Sequence, residues 1–136
     1  MAITVLKSEN MTVRSSEDVI RVRQFVRVWA SELGFGLVNQ TKFVTATSEL
    51  ARNMLEFGGG GSVRLEMLDS SNRPGLRLIF EDHGPGISDI DMAMKDGFTT
   101  GMGLGLGLGG SKRLVDEFEI SSRPGEGTVV KITSWK

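Results

Sequence analysis

Between Gly101 and Gly110, glycine recurs at every second position, with leucine at 104, 106 and 108 in the gaps. Glycine is the residue whose backbone is costliest to order, so a cluster this dense marks a special backbone path. With side chains removed, backbone N–H groups are exposed to a ligand. The stretch opens a helix expected from Gly110–Ser111, whose positive dipole end favours phosphate. The plain alternative is a flexible surface loop, against which the three leucines argue for a packed one. Two familiar phosphate loops do not fit. A Walker A loop needs lysine directly after its last glycine, whereas here Ser111 stands between Gly110 and Lys112. Gly105–Gly110 has G-x-G-x-x-G spacing, but that fingerprint follows a strand and Asp96–Met102 does not read as one.

The remaining composition is that of an ordinary globular chain, 39% apolar and 24% charged over 136 residues. That is enough for a single domain over 1–136 with one core. A net charge of −1 gives no bulk attraction to nucleic acid or to an anionic membrane. The absence of cysteine excludes disulfides, thiolate metal sites and cysteine nucleophiles, and the lone His83 cannot build a histidine-rich metal site. No apolar run reaches the length of a membrane span, and Met1–Met11 lacks the layout of a signal peptide. A soluble cytoplasmic protein is expected.

Thr4–Val13 alternates weakly and predicts an edge strand. Ser15 or Ser16 then caps a helix whose stripe is Val19, Val22, Val26, Trp29 and Leu33, ending at Gly34. A second helix is expected from Asn39 to Phe57, with Phe43, Ala46, Leu50 and Met54 inward and Gly58–Gly61 stopping it. Val63, Leu65 and Met67, then Leu76, Leu78 and Phe80, predict two strands around a hairpin loop at Ser70–Gly75. Ile87, Ile90 and Met94 give Ile87–Phe98 partial helical spacing. A third helix is expected from Gly110–Ser111 to Phe118, then strands at Glu119–Arg123 and Gly127–Trp135. This order predicts an α+β fold: a two-layer α/β sandwich with helices on one face of a mixed sheet.

Three further clusters carry chemistry. Glu49 and Asn53 stand four apart on the second helix and share a face, beside the core stripe. An asparagine oxygen suits Mg²⁺, which takes few protein ligands, and a nearby glutamate can orient a hydroxyl. In period 2, Asp82 falls on the inner face with Leu76, Leu78 and Phe80, where a carboxylate needs a partner. An adenine amino group is one such partner. The glycines of Asp82-His83-Gly84-Pro85-Gly86 let the chain turn close to a ligand. Gly125-Glu126-Gly127-Thr128 enters the last strand and places Thr128 within reach of a bound base.

These four segments, in this order over nearly the whole chain, resemble those of the GHKL ATPase superfamily, which includes gyrase and the histidine kinases. Glu49–Asn53 resembles its N box, Asp82–Gly86 its G1 box, Gly101–Gly110 its G2 box, and Gly125–Thr128 the segment that follows. Within it, Glu81–Ile87, Gly103–Leu108 and Lys112–Phe118 are similar to the RsbT-type serine/threonine kinases of the anti-sigma-factor-like group. The resemblance implies a GHKL (Bergerat) ATP-binding fold and the cofactors ATP and Mg²⁺. It also implies a kinase that phosphorylates STAS-domain proteins in a stressosome-type partner-switching pathway, then binds and activates a PP2C-type phosphatase. It implies that Glu49 orients or deprotonates the acceptor hydroxyl and Asn53 holds Mg²⁺. It implies that Asp82 binds adenine beside Gly84, Gly86 and Ile87, with Thr128 supporting that end. Gly103, Gly105 and Gly107 would line the phosphates, with Thr100, Gly101, Leu104, Leu106 and Lys112 in the same nucleotide-binding stretch. Lys95, Lys112 and Arg113 are the candidate cations for the γ-phosphate. The rival reading is a binding module: an anti-sigma factor that sequesters a sigma factor, or an adaptor that only activates the phosphatase.

Overall fold

The computed structural model describes residues 2–87, 90–94 and 107–136. In chain order the elements are β1 (Thr4–Val13), α1 (Ser16–Leu33), α2 (Leu37–Gly58), β2 (Gly61–Ser70) and β3 (Arg73–Asp82). Two short helices follow, α3 (Ile90–Ala93) and α4 (Gly107–Lys112), then β4 (Glu117–Arg123) and β5 (Gly127–Trp135). The caps explain where the long helices stop. Ser15 is extended, and its hydroxyl accepts the Asp18 N–H at 3.2 Å. Asp18 in turn accepts the Arg14 N–H at 2.9 Å. α1 ends on Gly34 and α2 on Gly59, both in the left-handed region that favours glycine.

The sheet order is β1-β2-β3-β5-β4. Alternation turns Val63, Leu65, Leu76, Leu78, Phe80, Val130 and Ile132 to one face, where they are buried. Against them lie the predicted stripes, Val19, Val22, Val26 and Trp29 of α1 and Phe43, Ala46, Leu50 and Met54 of α2, in one core. The α+β two-layer class holds, as do the bounds of β1 and β5.

Three details differ. Every described strand pair is antiparallel, so the sheet is not mixed. β3 and β4 do run in the same direction, but β5 lies between them and pairs antiparallel with both. The β2–β3 turn is tighter than Ser70–Gly75: only Ser71 and Asn72 form it, at φ 51° and 66°. Two such residues match the twist of the flanking strands, and Pro74 joins β3 opposite Asp69. The third helix is also displaced, covering Gly107–Lys112 rather than ending at Phe118. Its Gly109, Gly110 and Ser111 are buried, and these small residues let it pack on α2. Phe118 and Ile120 alternate toward the core and belong to β4, opposite Ile132 and Val130.

On the other face of the sheet, Glu66 is 7% exposed and sits opposite Arg77. Its carboxylate accepts from Arg77 Nε at 2.7 Å and from Arg64 Nε at 3.2 Å. Burial pushes the Glu66 pKa up, but the two guanidiniums outweigh it and hold the group below its usual value. A depressed carboxylate stabilises the fold above its unfolded pKa, and that contribution is lost as pH falls through the folded pKa. Glu66→Gln is therefore expected to be less stable than the parent chain near neutral pH, with the gap closing in acid; urea titrations at both pH values check this. Phe43, fully buried, should cost about 3–5 kcal/mol as Phe43→Ala in the same titration near neutral pH.

Candidate functional site

At the end of β3, Asp82 pairs across the sheet with Gly61 on one side and Thr128 on the other. Its half-buried side chain lies against the last residue of α2, Gly58. A Cβ at Gly58 would overlap the Asp82 carboxyl group, and a Cβ at Gly84 would come within 2.6 Å of Gly58 Cα. The carboxylate Oδ1 accepts the Gly84 N–H at 3.0 Å. Gly58, Asp82 and Gly84 are thus in mutual close approach, with the carboxylate packed against the end of the helix.

The next turn is tied to the β4–β5 hairpin. Gly86 has φ 76° and packs on the Arg123 backbone, where a Cβ would collide. Gly125 N–H donates to Pro85 O at 2.7 Å, and Ile87 N–H donates to Ser122 Oγ, also at 2.7 Å. Ser122 Oγ donates to Gly127 O at 3.0 Å and lies 2.7 Å from Thr128 Oγ1. A hydroxyl has a single hydrogen, so Thr128 is the donor in that last contact. The turn carrying Gly84 and Gly86 is therefore anchored through Ser122 to Thr128.

Glu49 and Asn53 occupy successive turns of α2, upstream of Gly58. Glu49 is 2% exposed; Asn53 is half-buried. A buried carboxylate is costly without a partner, and Arg52 Nη1 provides one, 3.3 Å from Glu49 Oε1. With a rise of 1.5 Å per residue, Glu49 stands about 13 Å along the helix axis from Gly58, and Asn53 stands between them. Glu49 and Asn53 share a face, while Gly58, nine residues from Glu49, lies about 180° around the helix from it, where the helix end meets Asp82.

Of the remaining expected residues, Gly107 is the first of α4, and Lys112 is the exposed last one. Lys112 therefore stands at the C-terminal end of that helix, not in its first turn. Thr100, Gly101, Gly103, Leu104, Gly105, Leu106 and Lys95 lie outside the described residues. Among the described residues no group of three His, Cys, Asp or Glu side chains could hold a metal. A single asparagine oxygen together with phosphates is a donor set that fits Mg²⁺, which often takes only one or two protein oxygens. Sequence reading missed three contributors. Gly58 reads only as a helix stop, although the Gly58–Gly61 run flags the place. Arg52 lies within the quoted helix segment without a role, and Ser122 carries no local signal.

The chain matches the model of the histidine kinase-, DNA gyrase B- and HSP90-like ATPases over residues 38–135. It is 48% identical over 118 residues to the serine/threonine-protein kinase RsbT of Bacillus subtilis, covering 87% of this chain and 89% of that one. It is 31% identical over 119 residues to the anti-sigma F factor of a Thermoanaerobacter species, covering 83% and 82%. For the anti-sigma F factor of Clostridium kluyveri the identity is 30% over 127 residues, covering 90% and 88%. The matched span contains Glu49, Asn53, Asp82 and Thr128.

Gly58→Ala should displace the Asp82 carboxylate while keeping the α2 helix, since alanine is the better helix former. Calorimetry with ADP is expected to show weakened binding, with circular dichroism unchanged. Gly36→Ala, where a Cβ meets nothing within 4 Å, should bind as the parent chain does.

Proposed function

The chain belongs to the family of histidine kinase-, DNA gyrase B- and HSP90-like ATPases, and we propose that it binds ATP with Mg²⁺ beside α2 and phosphorylates a serine or threonine of a partner protein. The observation that carries this reading is the buried Glu49 carboxylate beside the half-buried Asn53 on one face of a helix whose last residue packs against Asp82. It offers a proton acceptor and a cation ligand on the helix and an adenine acceptor at the adjoining strand end.

Mg·ATP supplies the transferable phosphoryl group and a cation to offset its charge; the rest falls to the chain. Asp82 accepts from the adenine amino group, its carboxylate held in place by the close approach of the Gly58 and Gly84 backbones. Thr128 and Ser122 hold the Ile87 turn that closes that end. Asn53 presents its side-chain oxygen to the cation. Glu49 accepts the hydrogen bond of the acceptor hydroxyl, orienting it and taking its proton as the hydroxyl oxygen bonds to the γ-phosphorus and the bond to the β,γ-bridging oxygen breaks, with ADP as the leaving group. Positioning and electrostatics dominate such transfers, so a carboxylate fixed by burial and by Arg52 is well suited to the role.

Under this reading the acceptors are STAS-domain proteins of a partner-switching pathway, and the released kinase binds and activates a PP2C-type phosphatase in the cytoplasm. Support comes from the identity to a protein named a serine/threonine kinase, far above that to the anti-sigma F factors. Among the described residues no helix is long and apolar enough to cross a membrane. The second reading, sequestration of a sigma factor, is favoured only by the anti-sigma F likeness, since a binding module has no need of the buried Glu49 carboxylate.

With labelled Mg·ATP and a STAS-domain partner, label should appear on a partner serine or threonine. Asp82→Asn should lose both ATP binding and transfer. Glu49→Ala should keep ATP binding and slow transfer by about 10²–10⁴-fold, the usual worth of a general base. Transfer at the parent rate in Glu49→Ala would remove that residue from the mechanism; ATP binding with no transfer by the parent chain would favour the sequestering module.

A further inference from the structure

On the flank of α2 away from the strand end, a cleft of about 540 Å³ opens between α1 and α2. Its polar walls are Arg23 and Arg27 of α1 and Ser48, Glu49 and Arg52 of α2. Arg23 and Arg27 stand four apart on one helix and share a face. Neither has an ion-pair partner within 4 Å among the described residues, so two guanidiniums face the space without a counter-ion. Three guanidiniums against one carboxylate leave two positive charges in the cleft.

Ser48 supplies a second, independent observation. It is 9% exposed, and its Oγ is a buried polar atom with no hydrogen-bond partner among the described residues. A buried hydroxyl without a partner is costly and calls for a ligand or another explanation. Thr41, Thr45 and Gln40 add further donors to the same wall.

The geometry points to a phosphate-binding site in this cleft, occupied by the phosphorylated serine or threonine side chain of the partner after transfer. Two excess positive charges match a phosphate dianion, and forked guanidiniums with hydroxyl donors match its oxygens. A single carboxylate would leave more of these donors and charges unanswered. Glu49 lines the cleft, so a side chain phosphorylated beside Glu49 has only to swing across that carboxylate to reach the arginines. Phosphate there also competes with Glu49 for Arg52, so a bound product loosens the restraint on the carboxylate. The phosphate site stands on the cleft alone; its assignment to the product rests on the kinase reading above.

The test is calorimetry on the full chain saturated with ADP, which keeps the nucleotide pocket filled. The probes are inorganic phosphate, a short peptide with one phosphoserine, and the same peptide unphosphorylated. The phosphopeptide should bind and its unphosphorylated form should not. Arg23→Ala with Arg27→Ala should weaken the phosphopeptide at least about tenfold, the loss expected from removing charge-assisted hydrogen bonds. Ser48→Ala, which removes a hydroxyl with no hydrogen-bond partner among the described residues, should stay folded and bind the phosphopeptide severalfold more weakly. Equal binding by parent and double variant, or no binding of either phosphate probe, overturns the site. Binding of inorganic phosphate without the phosphopeptide overturns its assignment to the product. Transfer of label to the partner is measured separately, so failure of the kinase reading is distinguishable from failure of this site.

Discussion

The whole arrangement around the end of β3 depends on α2 arriving at Asp82 with no side chain on its last residue. The backbone of Gly58 meets the carboxyl group on one side and the Gly84 backbone on the other. A larger residue there would push the helix end from the strand end. The same helix buries Phe43, Ala46, Leu50 and Met54 in the core, so it cannot move away without opening the packing that holds the sheet and helices together. The close approach at Gly58 is thus enforced by burial elsewhere along the helix, and the position of Asp82 inherits the rigidity of the core.

Farther back along that helix, at Glu49, the electrostatic character is different. Glu49 is more deeply buried than Asp82, and its carboxylate is held by an arginine one turn on. A charge with one partner and little water is a charge with few orientations, which is the property a proton-accepting group requires. Its core neighbours, Leu50 and Ala51, are themselves buried, so the backbone below the carboxylate has no room to breathe.

Much of this was legible in the chain. Alternation placed Asp82 on the helix-facing side before any coordinates, and the spacing of Glu49 and Asn53 set them on one face. Both depend on local periodicity, which survives folding unchanged. The features that escaped depend on contacts between segments far apart in sequence. Nothing near Gly58 says which residue it will meet; that is set by the register of β3 against the end of α2. Ser122 looks like any strand serine until the turn after Asp82 folds back on β4 and brings the Ile87 N–H to it. The antiparallel sheet was hidden for the same reason, because the chain order does not reveal that β5 slips between β3 and β4. The boundary of the third helix was misplaced because Phe118 has the spacing of either element, and the partner strand decided between them.

The placement of β5 has a kinetic meaning. β2 and β3, like β4 and β5, are joined by tight turns and can pair early, whereas β1 meets β2 only after the segment carrying both long helices folds back between them. The β4–β5 hairpin must then dock on β3 through β5, which lies between β3 and β4. The bond from Ile87 N–H to Ser122, 35 residues apart, therefore forms late, when that hairpin docks on β3. Such a closure between distant segments is slow, because the loop entropy is lost before the contacts are gained. The strand end at Asp82, paired with Thr128 of β5, then acquires its shape late in folding.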